Sequence, residues 1–173
     1  MPLIGIILGS DSDLPKIRNC FETLDEFGVD YEIVVSSAHR SPERTLKWAM
    51  GAEKRGVRVI IAAAGGAAHL PGVVAAHTPL PVIGIPIETA ISGGLDSILS
   101  IIQMPAGVPV AAMPAGKAGG ANAALFALSV LALADDSLKE KIARFREKNA
   151  AKIAERSEKL SALGYRKYIE TMK

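Results

Sequence analysis

Two kinds of hydrophobic pattern alternate along the chain. Apolar runs rich in β-branched residues predict strands at residues 3–8, 31–35, 57–64, 81–86 and 108–113. Between and after them, hydrophobic residues at three- and four-residue spacing predict helices at 14–27, 42–55, 95–103, 118–134 and 137–163. Gly28 and Gly56 stand where glycine ends helices, and Ser41 before Pro42 predicts a capped helix start.

Strands and helices in this alternation form parallel sheets, because each parallel pairing needs a crossover connection. The pattern therefore predicts a three-layer, doubly wound parallel α/β sheet of the flavodoxin or Rossmann type with a long C-terminal helix. Residues 1–134 form the predicted α/β core, and residues 135–173 form a helical extension of the same domain. Ligands bind such sheets beyond the carboxyl ends of the strands, so the segments that follow the strands are the candidate site.

Composition narrows the function classes. Hydrophobic residues make up 49% of the 173 residues and charged residues 22%, which is typical of a globular protein. The net charge is +2 and basic residues are interleaved with acidic ones, so no nucleic-acid partner is predicted. No apolar run predicts a membrane span, and the short apolar N-terminus predicts a buried strand and not a signal peptide. A cytoplasmic protein is the simplest interpretation.

The segment Gly9–Asp13 follows the first strand and precedes a helix. A glycine and hydroxyls at a helix N-terminus suit an anion, because free backbone N–H groups and the helix dipole point at it. The alternative, given equal weight, is that Ser12 or Asp13 simply caps the helix. An acidic residue here is also able to hold ribose hydroxyls, whereas no Gly-x-Gly-x-x-Gly or Walker motif supports a dinucleotide or ATP.

Histidines follow the second and third strands. His39 stands beside Arg40, whose forked cation suits phosphate, and histidine titrates near neutral pH. Gly65 and Gly66 let a ligand approach the backbone, with His69 at the edge of the same loop. Each loop alone is also explained as a capping loop or a tight turn with an unreactive histidine. Three such loops at one sheet edge favour a phosphate-bearing small molecule and one or two catalytic histidines.

His77 and Cys20 are not predicted to take part in chemistry. A three-histidine metal site would need His39, His69 and His77 to converge, and His77 lies a helix length from His69. No metal is therefore predicted. Cys20 is the only cysteine, which excludes an intrachain disulfide, and its place in an amphipathic helix indicates inert packing.

With these three loops in order, the sequence closely resembles the carboxyaminoimidazole ribonucleotide mutase family, the class I enzymes of bacterial purine biosynthesis. The resemblance covers nearly the whole chain and rests on Gly-Ser-Asp-Ser-Asp at 9–13, Ser-Ala-His-Arg-Ser-Pro at 37–42, Ala-Gly-Gly-Ala-Ala-His-Leu-Pro-Gly at 64–72, Gly-Leu-Asp-Ser at 94–97, Gln-Met-Pro-Ala-Gly-Val-Pro-Val at 103–110 and Asn-Ala-Ala-Leu at 122–125. Departures are Ser41 for a usual threonine, Ala63 for a usual glycine, and Met113-Pro114-Ala115 for a more β-branched run.

The resemblance implies an isomerase of de novo purine (IMP) biosynthesis. Its implied substrate is a carbamate, N5-carboxyaminoimidazole ribonucleotide (N5-CAIR), which becomes 4-carboxyaminoimidazole ribonucleotide (CAIR) through decarboxylation and recarboxylation. The implied catalytic residues are His39, as general acid/base, and His69. The implied substrate-binding residues are Ser10, Ser12, Asp13, Ser37, Arg40, Gly65, Gly66 and Ala67. No cofactor is implied, because the carboxyl group is already on the substrate, and the whole chain (1–173) is expected to be a single mutase domain.

Two other functions stay open. A direct carboxylase would combine aminoimidazole ribonucleotide with carbon dioxide, and the class II relatives that do so carry a more polar segment in place of Gly66–His69. The present sequence follows class I in that segment. A nucleotide-sensing α/β module would explain Gly9–Asp13 but would leave both histidines without a role.

The last two predicted helices bear on assembly. The helix at 118–134 is apolar nearly all round, and such a helix must be buried on every side. The helix at 137–163 has a narrow apolar stripe between charged flanks and would be marginal standing alone. Both features favour the homo-octamer that the resemblance implies, and the alternative is a monomer in which both helices fold back on their own sheet.

Overall fold

Five parallel strands form the sheet in the computed structural model, which describes residues 1–172. The strands are β1 (Ile4–Leu8), β2 (Tyr31–Val35), β3 (Val59–Ala64), β4 (Val82–Pro86) and β5 (Ala111–Ala112). Their order across the sheet is β2-β1-β3-β4-β5, so the chain is wound outward from β1 in both directions. In a sheet of this order, a crevice opens at the carboxyl ends of β1 and β3.

Helices cover both faces of this sheet. They are α1 (Arg18–Phe27), α2 (Pro42–Gly51), α3 (Leu70–Ala75), α4 (Leu95–Ile102) and α5 (Lys117–Leu131), and a sixth helix, α6 (Asp136–Glu170), follows them in the chain. Helix α5 packs against α1, β3 and β4 on one face, and α2, α3 and α4 contribute to the core on the other. This arrangement confirms the predicted three-layer, doubly wound fold.

The three central strands are apolar because helices exclude water from both of their faces. Every residue of β1, β3 and β4 is buried, and none carries a polar side chain. The edge strand β2 has one strand neighbour and is only partly buried. On the face of α2, α3 and α4, a continuous cluster joins Ile7, Ile60, Val74 and Ile101. The strand ends that carry the loops are therefore held by a close-packed core.

The fifth strand is shorter than predicted. The sequence indicates a strand over 108–113, whereas β5 pairs with β4 only at Ala111–Ala112. Pro109 and Pro114 flank the paired residues and have no N–H to donate, so they limit the ladder to the short segment between them. Two prolines thus set the length of this strand.

The first two predicted helices are less regular than their hydrophobic spacing suggests. Before α1, the chain forms short 3-10 turns at Asp11–Asp13 and Pro15–Ile17. Helix α2 ends at Gly51, and a further 3-10 turn covers Glu53–Arg55. Gly28 ends α1 with a φ of 67°, as predicted, because glycine adopts left-handed backbone angles without steric cost.

The chain divides into two compact units, one of residues 1–131 and one that begins at Ala132. The first contains the sheet with α1 to α5, and the second contains α6. In the second unit, Asp135 accepts the backbone N–H of Leu138, and the non-helical angles of Gly164 interrupt α6 close to the predicted helix end. The assignment of the whole chain to one domain stays a prediction. Within residues 1–172, no helix is long and apolar enough to span a membrane.

We expect Gly84→Ala to destabilise the protein by about 1–3 kcal/mol, because β4 has no room for a methyl group. A β-carbon at Gly84 would lie 2.6 Å from Cγ2 of Ile101 and 3.0 Å from Cγ1 of Val110. Both neighbours branch at the β-carbon and have few alternative rotamers. Urea denaturation at fixed protein concentration measures the change in the free energy of unfolding.

Ile101→Ala provides the matched test of this clash. It removes Cγ2, so the double variant should lose less stability than the sum of the two single losses, by about 0.5 kcal/mol or more. A Gly84→Ala protein as stable as the parent would contradict the account of packing around β4.

Candidate active site

The carboxyl ends of four strands surround a cavity of about 420 Å³. Its lining comprises Gly9, Ser10, Asp13 and Lys16 after β1; Ser37, Ala38, His39 and Arg40 after β2; Ala64, Gly65, Ala67, His69 and Leu70 from β3 onward; and Ile87, Glu88 and Thr89 after β4. Among the predicted site residues, Ser12 and Gly66 are outside this lining and the others are part of it. The sheet edge thus brings the three predicted loops together.

The first loop is held by a pair of serines. Ser10 Oγ accepts the backbone N–H of Ser12 at 3.3 Å and lies 2.9 Å from Ser12 Oγ. Ser10 therefore caps the 3-10 turn at Asp11–Asp13, and the predicted cap of the helix by Ser12 or Asp13 is wrong, because the N-cap position of α1 is Ile17, which makes no side-chain cap. Asp13 is buried and lines the cavity, and its Oδ1 lies 3.9 Å from Nζ of Lys16. The same ammonium donates to the carbonyl oxygen of Glu88 at 3.3 Å, which links the first loop to the end of β4.

Arg40 connects the second loop to the first. Its backbone N–H donates to Ser37 Oγ at 3.2 Å, and its Nη2 donates to the carbonyl oxygen of Gly9 at 3.2 Å. A guanidinium has five N–H donors, so further donors remain for an anion in the cavity. Ser41 occupies the N-cap position of α2, but its hydroxyl donates back to the carbonyl of Ser37. The predicted side-chain cap by Ser41 is therefore wrong.

The two predicted catalytic histidines contact each other at the cavity wall. His39 Nε2 lies 2.7 Å from His69 Nδ1, and the rings meet edge to face at 78°. One of these nitrogens must donate and the other accept, so the pair shares a single proton along this contact. Protonating both atoms would place two N–H groups against each other. The other ring nitrogens, His39 Nδ1 and His69 Nε2, are outside this contact, and a proton is able to pass between the rings.

The third loop uses most of its N–H groups internally. The N–H of Gly66 donates to Ser97 Oγ at 2.9 Å, and those of Ala68 and His69 donate to carbonyl oxygens two residues earlier. Gly66 has a φ of 67°, which glycine adopts without steric cost. Gly65 and Ala67 are the residues of this turn that line the cavity besides His69. The turn is thus a preformed wall, with Gly66 facing away from the cavity lining.

The fourth strand supplies site residues that the sequence interpretation missed. Glu88 and Thr89 follow β4 and line the cavity, and Lys16 contacts the backbone at the same strand end. Thr89 Oγ1 donates to Asp96 Oδ1 at 2.6 Å, and this hydrogen bond is the main cause that lowers the pKa of Asp96. The sequence did carry a signal for Glu88, which is an acidic residue shortly after the predicted strand at 81–86. The other site loops were located by the same rule, that ligands bind beyond the carboxyl ends of the strands.

Two other reactive side chains stay outside the site. His77 is exposed, and its Nδ1 contacts the carbonyl oxygen of Val73 at 2.8 Å. Cys20 is fully buried, and burial raises the pKa of its thiol to about 12, so it stays protonated and unreactive. Across residues 1–172, no group of three histidine, cysteine or acidic side chains is arranged to hold a metal ion.

Comparisons with known proteins agree on one family. The family model described as AIR carboxylase matches residues 3–152. The N5-carboxyaminoimidazole ribonucleotide mutase of Thermotoga maritima is 48% identical over 169 residues, covering 98% of each chain. The phosphoribosylaminoimidazole carboxylase of Saccharomyces cerevisiae has the same identity over 98% of this chain but only 29% of its own length. The crystal structure of Treponema denticola PurE is 30% identical, with a TM-score of 0.83 over 92% of this chain and 99% of that one.

We expect Asp13→Asn to raise the melting temperature at pH 7. Burial raises the pKa of Asp13, and this effect exceeds that of the Lys16 ammonium, which lowers the pKa; Asp11 raises it further. Because the folded-state pKa lies above the unfolded one, the stability that Asp13 contributes is present at low pH and lost as pH rises through the raised value. The asparagine side chain does not ionise, so the variant avoids this loss of stability. The gain in melting temperature should shrink as the pH falls through about 4 and disappear well below it, where the carboxyl group is protonated in both states.

Asp30→Asn is the charge-matched control for this experiment. Asp30 is exposed in the turn before β2, so its substitution should leave the melting temperature nearly unchanged at both pH values. An Asp13→Asn protein that melts below the parent at pH 7 would show that the ionised carboxylate is stabilised by its surroundings.

Proposed function

The chain belongs to the AIR carboxylase family, and on this premise we propose that it converts N5-CAIR to CAIR in de novo purine (IMP) biosynthesis. It is a mutase, an isomerase that moves a carboxyl group within one molecule. The family and the enzyme class predicted from the sequence are confirmed. The identities of the catalytic and binding residues are part of the proposal.

The relatives that the chain matches over nearly their whole length are named as mutases, which favours a mutase over a direct carboxylase. Curated mutases from bacteria and archaea match the chain along nearly their whole length. The carboxylases of two yeasts and a plant are 45–48% identical, and the chain spans only about 30% of each of them.

The contact between His39 and His69 is the observation that supports the catalytic proposal. The reaction needs one proton delivered to a nitrogen and one removed from a carbon of the same substrate, with no net change. A pair of imidazoles that shares a proton at 2.7 Å is suited to donate and then recover it. A nucleotide-sensing module has no need for such a pair.

The proposed reaction has two steps. Protonated His39 donates a proton to the exocyclic nitrogen of N5-CAIR while the N–C bond to the carboxylate breaks, which releases carbon dioxide within the cavity. The electron-rich ring carbon then attacks the trapped carbon dioxide and forms the new C–C bond. Neutral His39 takes the proton from that ring carbon, which restores aromaticity and returns the histidine to its starting state.

The remaining cavity residues are proposed to bind the substrate. Arg40 suits the phosphate as a forked cation, and Asp13 with Ser10 suits the ribose hydroxyls. Ser37 and Ser12 are proposed to help at the phosphate. Ser12 would do so through its contact with Ser10. We assign the carboxylate and carbon dioxide to the third loop at Gly65, Gly66, Ala67 and His69, with Gly66 acting through the shape of the turn. No cofactor takes part in this scheme.

The decisive assay follows conversion of freshly prepared N5-CAIR to CAIR without ATP. A mutase should consume the carbamate directly, whereas a direct carboxylase should act on aminoimidazole ribonucleotide with bicarbonate or carbon dioxide. The two substrates are therefore supplied separately to the same enzyme preparation, with the uncatalysed breakdown of the carbamate subtracted. Turnover only with aminoimidazole ribonucleotide and carbon dioxide would contradict the mutase assignment.

We expect His39→Asn to lower kcat by about a hundred- to ten-thousandfold, because it removes the general acid/base. The asparagine keeps a polar side chain of similar size, and circular dichroism should show an unchanged fold. Arg40→Ala serves as the comparison, because a phosphate contact is made before and during reaction and its loss should mainly raise KM. If His39→Asn turns over within about fivefold of the parent, proton transfer belongs to another group, with His69 the next candidate.

We also propose a cytoplasmic homo-octamer. The first unit leaves large apolar side chains exposed on several elements: Ile33 and Val35 on β2, Leu95, Leu99 and Ile102 on α4, and Phe126 on α5. Helix α5 has one buried side within the chain, while Phe126 remains 43% exposed. Packing between copies of the chain would cover these surfaces. The low cysteine content is compatible with a reducing compartment.

Light scattering at micromolar concentration should give about eight times the 18.1 kDa chain mass. Leu99→Glu, at a position that is 46% exposed, should reduce that mass by placing a charge in the apolar surface. Lys54→Glu, at an exposed position in the turn after α2, is the control that should keep the full mass. A parent protein with the mass of a monomer would contradict the proposed assembly.

A further inference from the structure

A row of hydroxyl groups lies beneath the loop that carries His39 and Arg40. Ser36 Oγ is 2.9 Å from Thr45 Oγ1 and 3.2 Å from Ser41 Oγ, and Thr45 Oγ1 donates to the carbonyl oxygen of Ser41 at 3.2 Å. We call Ser36, Ser41 and Thr45 the hydroxyl row. It connects the end of β2 to the first turns of α2, the two elements between which the catalytic loop is suspended.

Hydrogen counting gives the row a direction. Each hydroxyl has one hydrogen, and those of Thr45 and Ser41 are donated to the carbonyls of Ser41 and Ser37. The hydrogen of Ser36 is then left for the two acceptors within reach, Thr45 Oγ1 at 2.9 Å and Ser41 Oγ at 3.2 Å. Ser41 Oγ also accepts the backbone N–H of Ser37 at 3.1 Å. Every hydroxyl of the row is therefore used, and each bond helps to define the path of the loop.

Two of the three residues of the row are buried, which makes their polarity informative. Thr45 has no exposed surface, and Ser36 is 2% exposed. Burying hydroxyls costs free energy that their hydrogen bonds roughly offset, so two apolar side chains of the same shape would stabilise the fold at least as well. Stability alone does not account for hydroxyls at these positions. What they provide beyond apolar residues is a directional contact to one loop conformation.

The row connects to the reacting groups through short steps. Ser37, held by Ser41 at its N–H and its carbonyl, offers its own Oγ to the backbone N–H of Arg40 at 3.2 Å. His39 lies between these two residues and reaches His69 at 2.7 Å. At the strand side, the N–H of Ser36 donates to the carbonyl of Leu8 at 2.9 Å, which anchors the row to β1.

We propose that Thr45, together with Ser36, is a positioning residue of the active site, which holds the loop at 37–41 so that His39 meets His69 and Arg40 reaches Gly9. Neither hydroxyl lines the cavity, so both act through the loop. The inference rests on the proposed function, because it assigns a role in the same reaction. It adds to that function two residues that no substrate atom needs to touch.

Thr45→Val tests the proposal, because it keeps the side-chain shape and removes only the hydroxyl. We expect a roughly tenfold lower kcat/KM at 25 °C, with changes in both kcat and KM, since the loop carries both His39 and Arg40. Thr45→Ser restores the hydroxyl and should recover most of the activity. Thr23→Val is the matched control: Thr23 Oγ1 makes the same type of bond, to the carbonyl of Asn19 at 2.7 Å, on α1.

The control should lose some thermal stability and keep the parent's kcat and KM. Folded Thr45→Val with kcat and KM within about twofold of the parent would overturn the proposal, as would an equal loss in Thr23→Val. Ser36→Ala removes the other half of the 2.9 Å contact and gives the same test if Thr45→Val does not fold. Because the two hydroxyls act as a unit, the double variant should lose no more activity than the larger single loss.

Crystal structures of the two valine variants separate this inference from the proposed function. A His39–His69 contact that is longer or misaligned in Thr45→Val but unchanged in Thr23→Val supports the positioning role. This holds even if the parent fails to isomerise N5-CAIR. An unchanged contact at the parent's 2.7 Å in that variant overturns it.

Discussion

The parallel register of the central strands is the constraint on which the rest of the molecule depends. Leu8 of β1 pairs with Val35 of β2 and with Ala63 of β3, and Ala64 pairs with Pro86 of β4, so four strands end at one edge. The three central strands, β1, β3 and β4, are buried, and a shift of their register would remove their apolar side chains from the core. The loops that follow them therefore have fixed starting points, and their functional side chains meet without any long-range pairing of their own.

The loops owe their shape to hydrogen bonds that have no part in ligand contact. Ser97 Oγ accepts from Gly66 and donates to the carbonyl of Ile87, which joins the third loop to the end of β4. The hydroxyl row does the same for the second loop, and Lys16 links the first to the fourth. Among residues 1–172, no buried side-chain nitrogen or oxygen lacks a hydrogen-bond partner. Such preorganisation lets a site bind and react without first ordering itself.

Asp13 illustrates the tension between folding and function in this architecture. Its carboxylate sits where burial raises its pKa, with a partly exposed lysine at 3.9 Å as the nearest compensation. A fold selected for stability alone would place a neutral residue there. The histidine pair is the counterpart, because two imidazoles in contact hold a single proton between their facing nitrogens. The Asp13 carboxylate and the histidine pair are both explained by the need to bind a charged substrate and to exchange a proton with it.

The sequence by itself determined the architecture and the location of the chemistry. Apolar runs and helical spacing are local signals, and they indicated the parallel sheet, the loops at its edge and the candidates His39, Arg40 and His69. Tertiary structure alone decided the 2.7 Å histidine contact and the hydrogen bond by which the Ser41 hydroxyl donates back to Ser37. The direction of a side chain depends on partners that are distant in the chain and are brought near only when strands pair and helices pack. The local sequence therefore indicates which residues reach the site, whereas packing sets which of their atoms are in contact.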